Sequence, residues 1–517
     1  MSTQKHQNTE PGSTAPGGAE PGGTEPGAPA ANPSTNAGTN TAEPSLNRRI
    51  LALAVPAFGA LIAEPIFVLT DSALIGQLGK AELAGMSIAA TLVTTVVGLM
   101  NFLAYSVTPA VARAFGEKNL RRAWQIGVDG VWVAFGLGML LMIAGYAFAD
   151  PLLRGLGATD ETISYALDYL HHSLWGIPPM MIILAQVGTL RGLQDTVTPL
   201  KVATVGTLVN IALNWLLIYP VGWGVAGSAT GTSLTQWGMA AALGVVMMRG
   251  TREHAVRWAP DVAGMRSVLS LGSWLMLRTL SMRIASLLTV FVVARFGTEH
   301  TAAYQLGMGV FNLFLYALDS LAIAAQALLG KELGERDLAV ESERVKVRQL
   351  KNRLLRMSLI YGVITGLICP LIGFFGSWLF TQDAQVAFLF TIATVIIALG
   401  QPIAAYVFTL DGILMGAQDV KYLAIGCFIM LVMYVPVMLG LHWAVGAGAM
   451  DALAGYCGLW AAYILYFQGT EEADERADHA GNHAVDEAHA QQPVFQLTHL
   501  HALGFYVKVA FAEFLAE

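Results

Sequence analysis

Residues 391–410 read TIATVIIALGQPIAAYVFTL, twenty positions without a single charged side chain. At 1.5 Å per residue a helix of that length covers about 30 Å, the thickness of a bilayer's hydrocarbon. Residues 131–148, VWVAFGLGMLLMIAGYAF, have the same character, and similar runs follow one another along most of the chain. Of the 517 residues, 55% are hydrophobic and only 13% charged, about half the charge of an ordinary soluble domain. So little polar surface cannot solvate a globule of this size, and the runs are therefore spans rather than core helices. A membrane barrel would alternate polar and apolar residues over segments of about ten. The runs here are continuous, and a helix satisfies every backbone group within itself. The fold class is all-α integral membrane.

The runs and their charged or turn-rich breaks predict twelve spans, near 50–78, 87–112, 124–148, 163–186, 199–219, 225–248, 264–295, 302–328, 355–379, 386–412, 421–441 and 443–468. Arg48 and Arg49, then Arg113, Lys118, Arg121 and Arg122, then Arg191 and Lys201, then Arg249, Arg252 and Arg257, then the cluster in 331–356 all fall on one side. The other side has scattered cations such as Lys80 and Arg154. The bias of Lys and Arg toward the cytoplasm places both termini there, in a multi-pass protein of the plasma (inner) membrane.

Residues 1–45, rich in Gly, Pro, Thr, Ala and Asn, hold too little apolar surface to order themselves and read as a disordered cytoplasmic tail. They lack the basic stretch and apolar run of a secretory signal, so the first membrane element reads as an uncleaved span starting near Arg49. Residues 331–356 read as a charged, solvated cytoplasmic connector inside the second half. The acidic tail 469–517 carries His479, His483 and His489, and reads as exposed chain in preference to a metal site. Cys369, Cys427 and Cys457 lie inside apolar runs and read as small core residues, with no disulfide or metal role. Much of the net charge of −7 belongs to the tails. Nothing in it supports a nucleic-acid partner.

Gly79, Ala84, Gly116 and Glu117 recur 218 residues later as Gly297, Ala302, Gly334 and Glu335. A second register, offset by 224, maps Gly188, Leu190, Gly192, Gln194 and Asp195 onto Gly412, Leu414, Gly416, Gln418 and Asp419. Two pseudo-symmetric six-helix bundles follow, one over 46–248 and one over 263–468, joined by a cytoplasmic linker at 249–262. Such repeats mark secondary transporters, whose bundles rock about a central site.

Asp71 lies deep in the first span, and Glu64 lies seven residues before it on the same helical face. A carboxylate at that depth costs about 2.5–3.5 kcal/mol on insertion scales, so it persists only where it faces a cavity or a partner. An acid that is costly to keep charged is suited to taking up and releasing a proton. The bland alternative is a structural hydrogen bond or salt bridge. In the second half Asp71 maps onto Thr289. The polar groups there are Arg278 and Arg283 in the seventh span, Asp319 in the eighth and Asp411 at the end of the tenth. For Asp319 and Asp411 the expectation is mutual ion pairing that makes burial tolerable, while the arginines could attract an anionic substrate group. Met276, Met282, Met308 and Met415 could soften a cavity wall, although methionines at helical spacing are more often core.

The stretch Pro56, Glu64-Pro65 and Asp71, the loop Arg191-Gly192-Leu193-Gln194-Asp195-Thr196 and the run Asn210-Ile211-Ala212-Leu213-Asn214 resemble the multidrug and toxic compound extrusion (MATE) family, most nearly its DinF-type branch. The resemblance covers roughly residues 48–468. It implies a V-shaped, two-lobed bundle of twelve helices that exports organic, cationic or amphipathic compounds against an inward flow of protons or sodium. On that resemblance Asp71 matches the first-span acid that takes the proton, and Pro56 the proline at which that helix bends. Asn210 and Thr232 match an asparagine and a threonine of the amino-terminal cavity. Asn214 stands where some relatives have a second aspartate. That departure shifts weight from sodium to protons, because a hard-cation site gains from fixed negative charge.

The expected protein is thus a monomeric secondary antiporter, working by alternating access on small organic substrates, with no cofactor beyond the proton gradient. A sodium-coupled exporter is one alternative. A flippase of lipid-linked precursors is another, favouring fourteen spans and an arginine-lined cavity. An intramembrane enzyme would need a nucleophile and base or paired metal ligands at depth, and the sequence has no His-Glu-x-x-His and no Gly-x-Ser-x-Gly. A channel would not require the repeat, and no filter-like loop is visible.

Overall fold

The structure, a computed structural model, describes residues 46–467. Both tails, with their histidines, lie outside the described residues. The helices are α1 (Leu46–Gly76), α2 (Lys80–Leu99), α3 (Phe102–Gly116), α4 (Leu120–Gly155), α5 (Ile163–Leu174), α6 (Ile177–Gly192), α7 (Val197–Ile218) and α8 (Gly224–Glu253). They continue with α9 (Val262–Val293), α10 (Thr298–Glu335), α11 (Glu341–Phe380), α12 (Ala384–Ala417) and α13 (Val420–Gly446), and end with α14 (Ala452–Phe467). Among the described residues nine stretches are single helices or near-continuous pairs long and apolar enough to cross a bilayer, and α5 with α6 forms a tenth crossing bent by 46°. α8 and α14 complete twelve. α8 is less apolar than most of the long helices, and its Ser228, Ser233 and Thr235 are buried against neighbouring helices instead of facing lipid.

Several boundaries differ from the sequence expectation. The second span is broken at Met100 and Asn101, and the fourth at Trp175 and Gly176. No proline marks the first break, while Pro178 and Pro179 follow the second in the first turn of α6, and the apolar pattern runs through both. The predicted last span begins at 443, but α13 continues to Gly446 and α14 starts only at Ala452. The stretch 331–356 is not a separate connector helix: it is the end of α10, a short turn, and the first turns of α11. Ion pairs hold that turn. Arg336 bonds both Glu332 and Glu343, and Lys346 reaches Glu343 at 2.6 Å. Lys346 and then Arg336 hold the Glu343 carboxyl below the usual carboxylate range.

The repeat is visible in packing. α3 and α10 cross so closely that a Cβ on Gly116 would come within 2.0 Å of the Lys331 carbonyl, and one on Gly334 within 2.1 Å of the Arg113 carbonyl. These are the same contact seen from each half, since Arg113 and Lys331 are themselves 218 apart. Gly188 of α6 meets the Ala104 backbone and Gly412 of α12 meets the Ala322 backbone in the same mirrored way. The two Gly-x-Gln-Asp loops also match. Gln194 and Gln418 are both left-handed, with φ of 65° and 67°. The amides of Asp195 and Asp419 close the turns onto the carbonyls of Leu190 and Leu414.

One core lies mainly among α2–α8 and is joined by Leu275 of α9, Met415 of α12 and Leu423 of α13, a second lies among α9–α14, and a third gathers the start of α1 with α10–α12. α1 reaches the first and the third. Its first turns, with Ile50, Leu53 and Ala54, are buried with Leu321 and Leu328 of α10, Leu350 and Leu354 of α11 and Leu410 of α12. Arg49 bonds Glu332 at 3.1 Å, and the Arg353 guanidinium donates to Asn47 at 2.5 Å. Its last turns, with Ile75, pack in the first core, where the Tyr219 hydroxyl donates to the Leu74 carbonyl at 2.7 Å. Pro56 stands just past the turns held by the second bundle. The sequence-based division had placed all of α1 in the first lobe. The inter-lobe linker is shorter than 249–262, because α8 runs on to Glu253 and α9 begins at Val262.

Candidate functional site

Asp71 is 4% exposed on the last part of α1, and the groups around it come from α7 and α8. Asn210 and Asn214 are one turn apart on α7 and fully buried. The Asn214 amide donates to one Asp71 oxygen, and the Thr232 hydroxyl lies 3.3 Å from the other. Asn210 donates to Thr232 at 2.9 Å, and the two asparagine side chains bond each other at 3.4 Å. Four of the residues singled out in the sequence thus form one closed network. Its members are neutral apart from Asp71, and no cation pairs with that carboxylate among the described residues. Pro56 lies on α1 fifteen positions before Asp71. Glu64 is on α1, but its side chain lies outside the described residues.

Gly231 makes this network fit, and sequence reasoning missed it. A Cβ there would sit 2.1 Å from the Asn214 side-chain oxygen. The spacing of Gly227 and Gly231 was the available signal, since small residues four apart let helices approach. Gly227 serves that purpose against the backbone of Leu217 on α7.

The matching place in the second half is built differently. Thr289 lies 2.6 Å from the Tyr434 hydroxyl, and Tyr434, Met438 and Tyr456 occupy the registers of Asn210, Asn214 and Thr232. All four are buried. Tyr304, Trp460, Tyr463 and Tyr466 pack around them. Met282 and Met308 are partly buried against the same core, Met415 is buried in the first core, and Met276 is exposed.

Between the halves sits a second polar group. Arg278 and Asp411 form a buried ion pair, as expected. Asp319 differs from the expectation: its partner is a tyrosine, Tyr105 of α3, whose hydroxyl donates to it at 3.0 Å across the bundle interface. Gln326 of α10 donates to the Tyr105 carbonyl at 2.8 Å. Arg191, counted among the basic connections, is buried at the end of α6 near Tyr105 and Asp319. Arg283 is exposed, with its guanidinium against Gly98 where α2 ends. Cys369 and Cys427 are buried, and none of the three cysteines is in a disulfide.

The first bundle thus holds a buried carboxylate lined by neutral donors, and the second does not repeat it. Comparison with known proteins agrees on the architecture. Protein DETOXIFICATION 44 of Arabidopsis thaliana is 27% identical over 81% of this chain and 80% of its own length. DNA damage-inducible protein F of Escherichia coli is 26% identical over 72% and 81%. A probable multidrug resistance protein NorM of Mannheimia succiniciproducens is 22% identical over 81% and 90%. Among solved structures, a MATE protein in the straight conformation superposes with a TM-score of 0.75 at 18% identity, over 86% of this chain and 97% of that one. The Vibrio cholerae MATE transporter VcmN in its bent form gives 0.74 at 19%, over 85% and 98%. The MatE family model matches residues 56–216 and 275–439, once in each half. The chain belongs to the MatE family, and is therefore a multi-pass membrane transporter of the multidrug and toxin efflux kind.

Proposed function

We propose that the protein is a secondary antiporter that exports organic, cationic or amphipathic compounds in exchange for protons, by alternating access, as a monomer in the inner membrane with both termini cytoplasmic. The observation that carries this reading is the Asp71 carboxylate, buried at bilayer depth and held by neutral donors alone. Insertion of the charge costs about 2.5–3.5 kcal/mol, and hydrogen bonds to a charged group return about 1.5–3 kcal/mol each. These magnitudes nearly cancel, so the group can exchange a proton at little net cost. An acid paired to arginine, like Asp411, cannot do so without breaking its ion pair. Asn214 gives Asp71 a neutral amide partner in place of a second carboxylate, which leaves the site short of the fixed negative charge a hard cation prefers.

Protonation removes the charge that Asn214 and Thr232 solvate. The network then loosens and α1 bends at Pro56, where the Ala52 carbonyl has no helical amide donor. The bent helix crowds substrate out of the first-bundle cavity, so proton and substrate oppose each other through a two-state element.

The test uses proteoliposomes holding a pH-sensitive dye, with cationic dyes or drugs as substrates. Asp71→Asn is expected to abolish substrate-driven proton movement while the protein stays folded, and wild-type flux at fixed pH is expected to be indifferent to replacement of sodium by choline. Wild-type flux in the Asp71→Asn variant would reject the coupling role, and collapse of flux in choline would make sodium the ion.

A further inference from the structure

We infer that the protein holds an anionic phospholipid headgroup in a basic pocket between the start of α4 and the linker that joins the two bundles. The pocket is a cavity of about 500 Å³ whose lining includes Asn119, Arg121, Arg122, Gln125, Arg257 and Asp261. It lies on the face that carries most of the basic connections, away from the Asp71 network.

The linker forms a built floor. Trp258 donates to the Thr251 hydroxyl at 2.8 Å, Trp132 donates to the Trp258 carbonyl at 3.1 Å, and Gln125 reaches the Ala259 carbonyl at 3.3 Å. The acids nearby are already engaged. Asp129 is buried and accepts from Gln125 and from the Asp261 amide, while the Asp261 carboxylate caps α9 at the Ala263 amide. Arg122 has a partner in Glu117, but that pair is exposed and such pairs are weak. Arg121 and Arg257 form no ion pair among the described residues.

Depth selects the occupant. α4 has 36 residues with non-helical backbone at Phe148, so its straight part before that break is about 42 Å long against about 30 Å of hydrocarbon. With that part centred in the bilayer, Arg121 and Arg122 in its first turn stand at the level of lipid phosphates, and Gln125 one turn deeper. Trp132, seven residues beyond Gln125, stands about two turns deeper, beside Trp258. Both indoles are partly exposed, at 38% and 37%, as expected of aromatic anchors at a membrane interface. Two arginines without acid partners, a cavity large enough for a glycerol phosphate group and indoles at the acyl boundary together match a phosphatidylglycerol-type lipid. Basic pockets between helices on this side are known to take such headgroups. Because the floor of the pocket is the inter-bundle linker, occupancy braces the joint about which the bundles move.

The experiment titrates full-length protein in phosphatidylcholine nanodiscs with phosphatidylglycerol and follows thermal stability. Phosphatidylglycerol is expected to stabilise the wild type, and the double variant Arg121→Gln/Arg257→Gln should need roughly 30-fold more of it for half effect, at about 1 kcal/mol per arginine near the surface. Arg154→Gln, at the opposite end of α4, should leave the titration unchanged and controls for a general loss of charge. Equal titrations of wild type and double variant would overturn the proposal, as would glycerol 3-phosphate in solution reproducing the effect at equal concentration. A full-length protein indifferent to phosphatidylglycerol until residues 469–517 are removed would assign the pocket to the acidic tail and overturn it equally.

Discussion

Asp71 and Thr289 hold the same register in the two halves, yet one sits among asparagines and the other among tyrosines. Around Asp71 the buried groups are Asn210, Asn214 and Thr232; around Thr289 they are Tyr434, Met438 and Tyr456. The backbone frame is shared to the level of single carbonyl contacts, as Gly116 and Gly334 show. What differs is the exchangeable charge. The first bundle keeps Asp71 without a cation, whereas in the second Asp411 is locked to Arg278 and Asp319 accepts from Tyr105 of the first bundle, near Arg191. On the proposed function, a duplicated fold gives one bundle the ion and leaves the other an aromatic counterweight.

The contrast breaks most sharply at Arg278. Arg278→Ala leaves Asp411 buried and unpaired, so it should lower stability by about 3–5 kcal/mol in a detergent melt, whereas Asp71→Asn should change the melt little while removing coupling. Replacing both partners, Arg278→Met with Asp411→Leu, should recover most of the loss. If the single and double variants melt alike, the pair is not the structural lock described here.

Gly231 and Gly455 also share a register, and they sharpen the comparison at lower cost. Gly231→Ala forces a methyl against the Asn214 oxygen, and overpacking of this kind costs about 1–3 kcal/mol; export should fall with it. In Gly455→Ala the new methyl meets Val445 at 2.5 Å and Phe296 at 3.3 Å. That variant should lose stability but keep the proton-to-substrate ratio. Equal transport defects in the two variants would mean that the Asn214 geometry is not what matters.

Pro56→Ala restores a helical hydrogen bond inside α1 and should lower the ratio of protons to substrate while leaving Asp71 able to titrate. An unchanged ratio would favour direct competition for Asp71 over bending. The smallest effect is expected at Tyr434→Phe, which removes one neutral hydrogen bond to Thr289, worth about 1 kcal/mol. Its melt should shift slightly and its transport should not.

Much of this was legible in the sequence, because bilayer depth makes polar residues conspicuous. Asp71, Asn210, Asn214 and Thr232 stand out in apolar runs, and the repeat glycines are fixed by helix crossings that admit no side chain. The break at Met100–Asn101 was not legible, since it carries no proline and does not interrupt hydropathy; the one at Trp175–Gly176 was signalled by Gly176 and by Pro178-Pro179 at the start of α6, and was missed because hydropathy runs through it. Nor was the Tyr105–Asp319 bond, which depends on how two bundles meet. Gly231 was missed because a small residue signals close approach without naming what approaches.

Asp71 and the turns clasped by Leu321, Leu350 and Leu410 lie on one unbroken rod. Its two ends are bolted to different bodies, so any swing between those bodies applies a torque to a single helix. Pro56 and Pro65 both interrupt the hydrogen-bond ladder of that helix, and Pro56 lies nearer the clasped turns. On the proposed function, ion occupancy at one end and the attitude of the opposite bundle are read through the same piece of backbone, and a shaft so strained needs no relay of side chains to carry the signal.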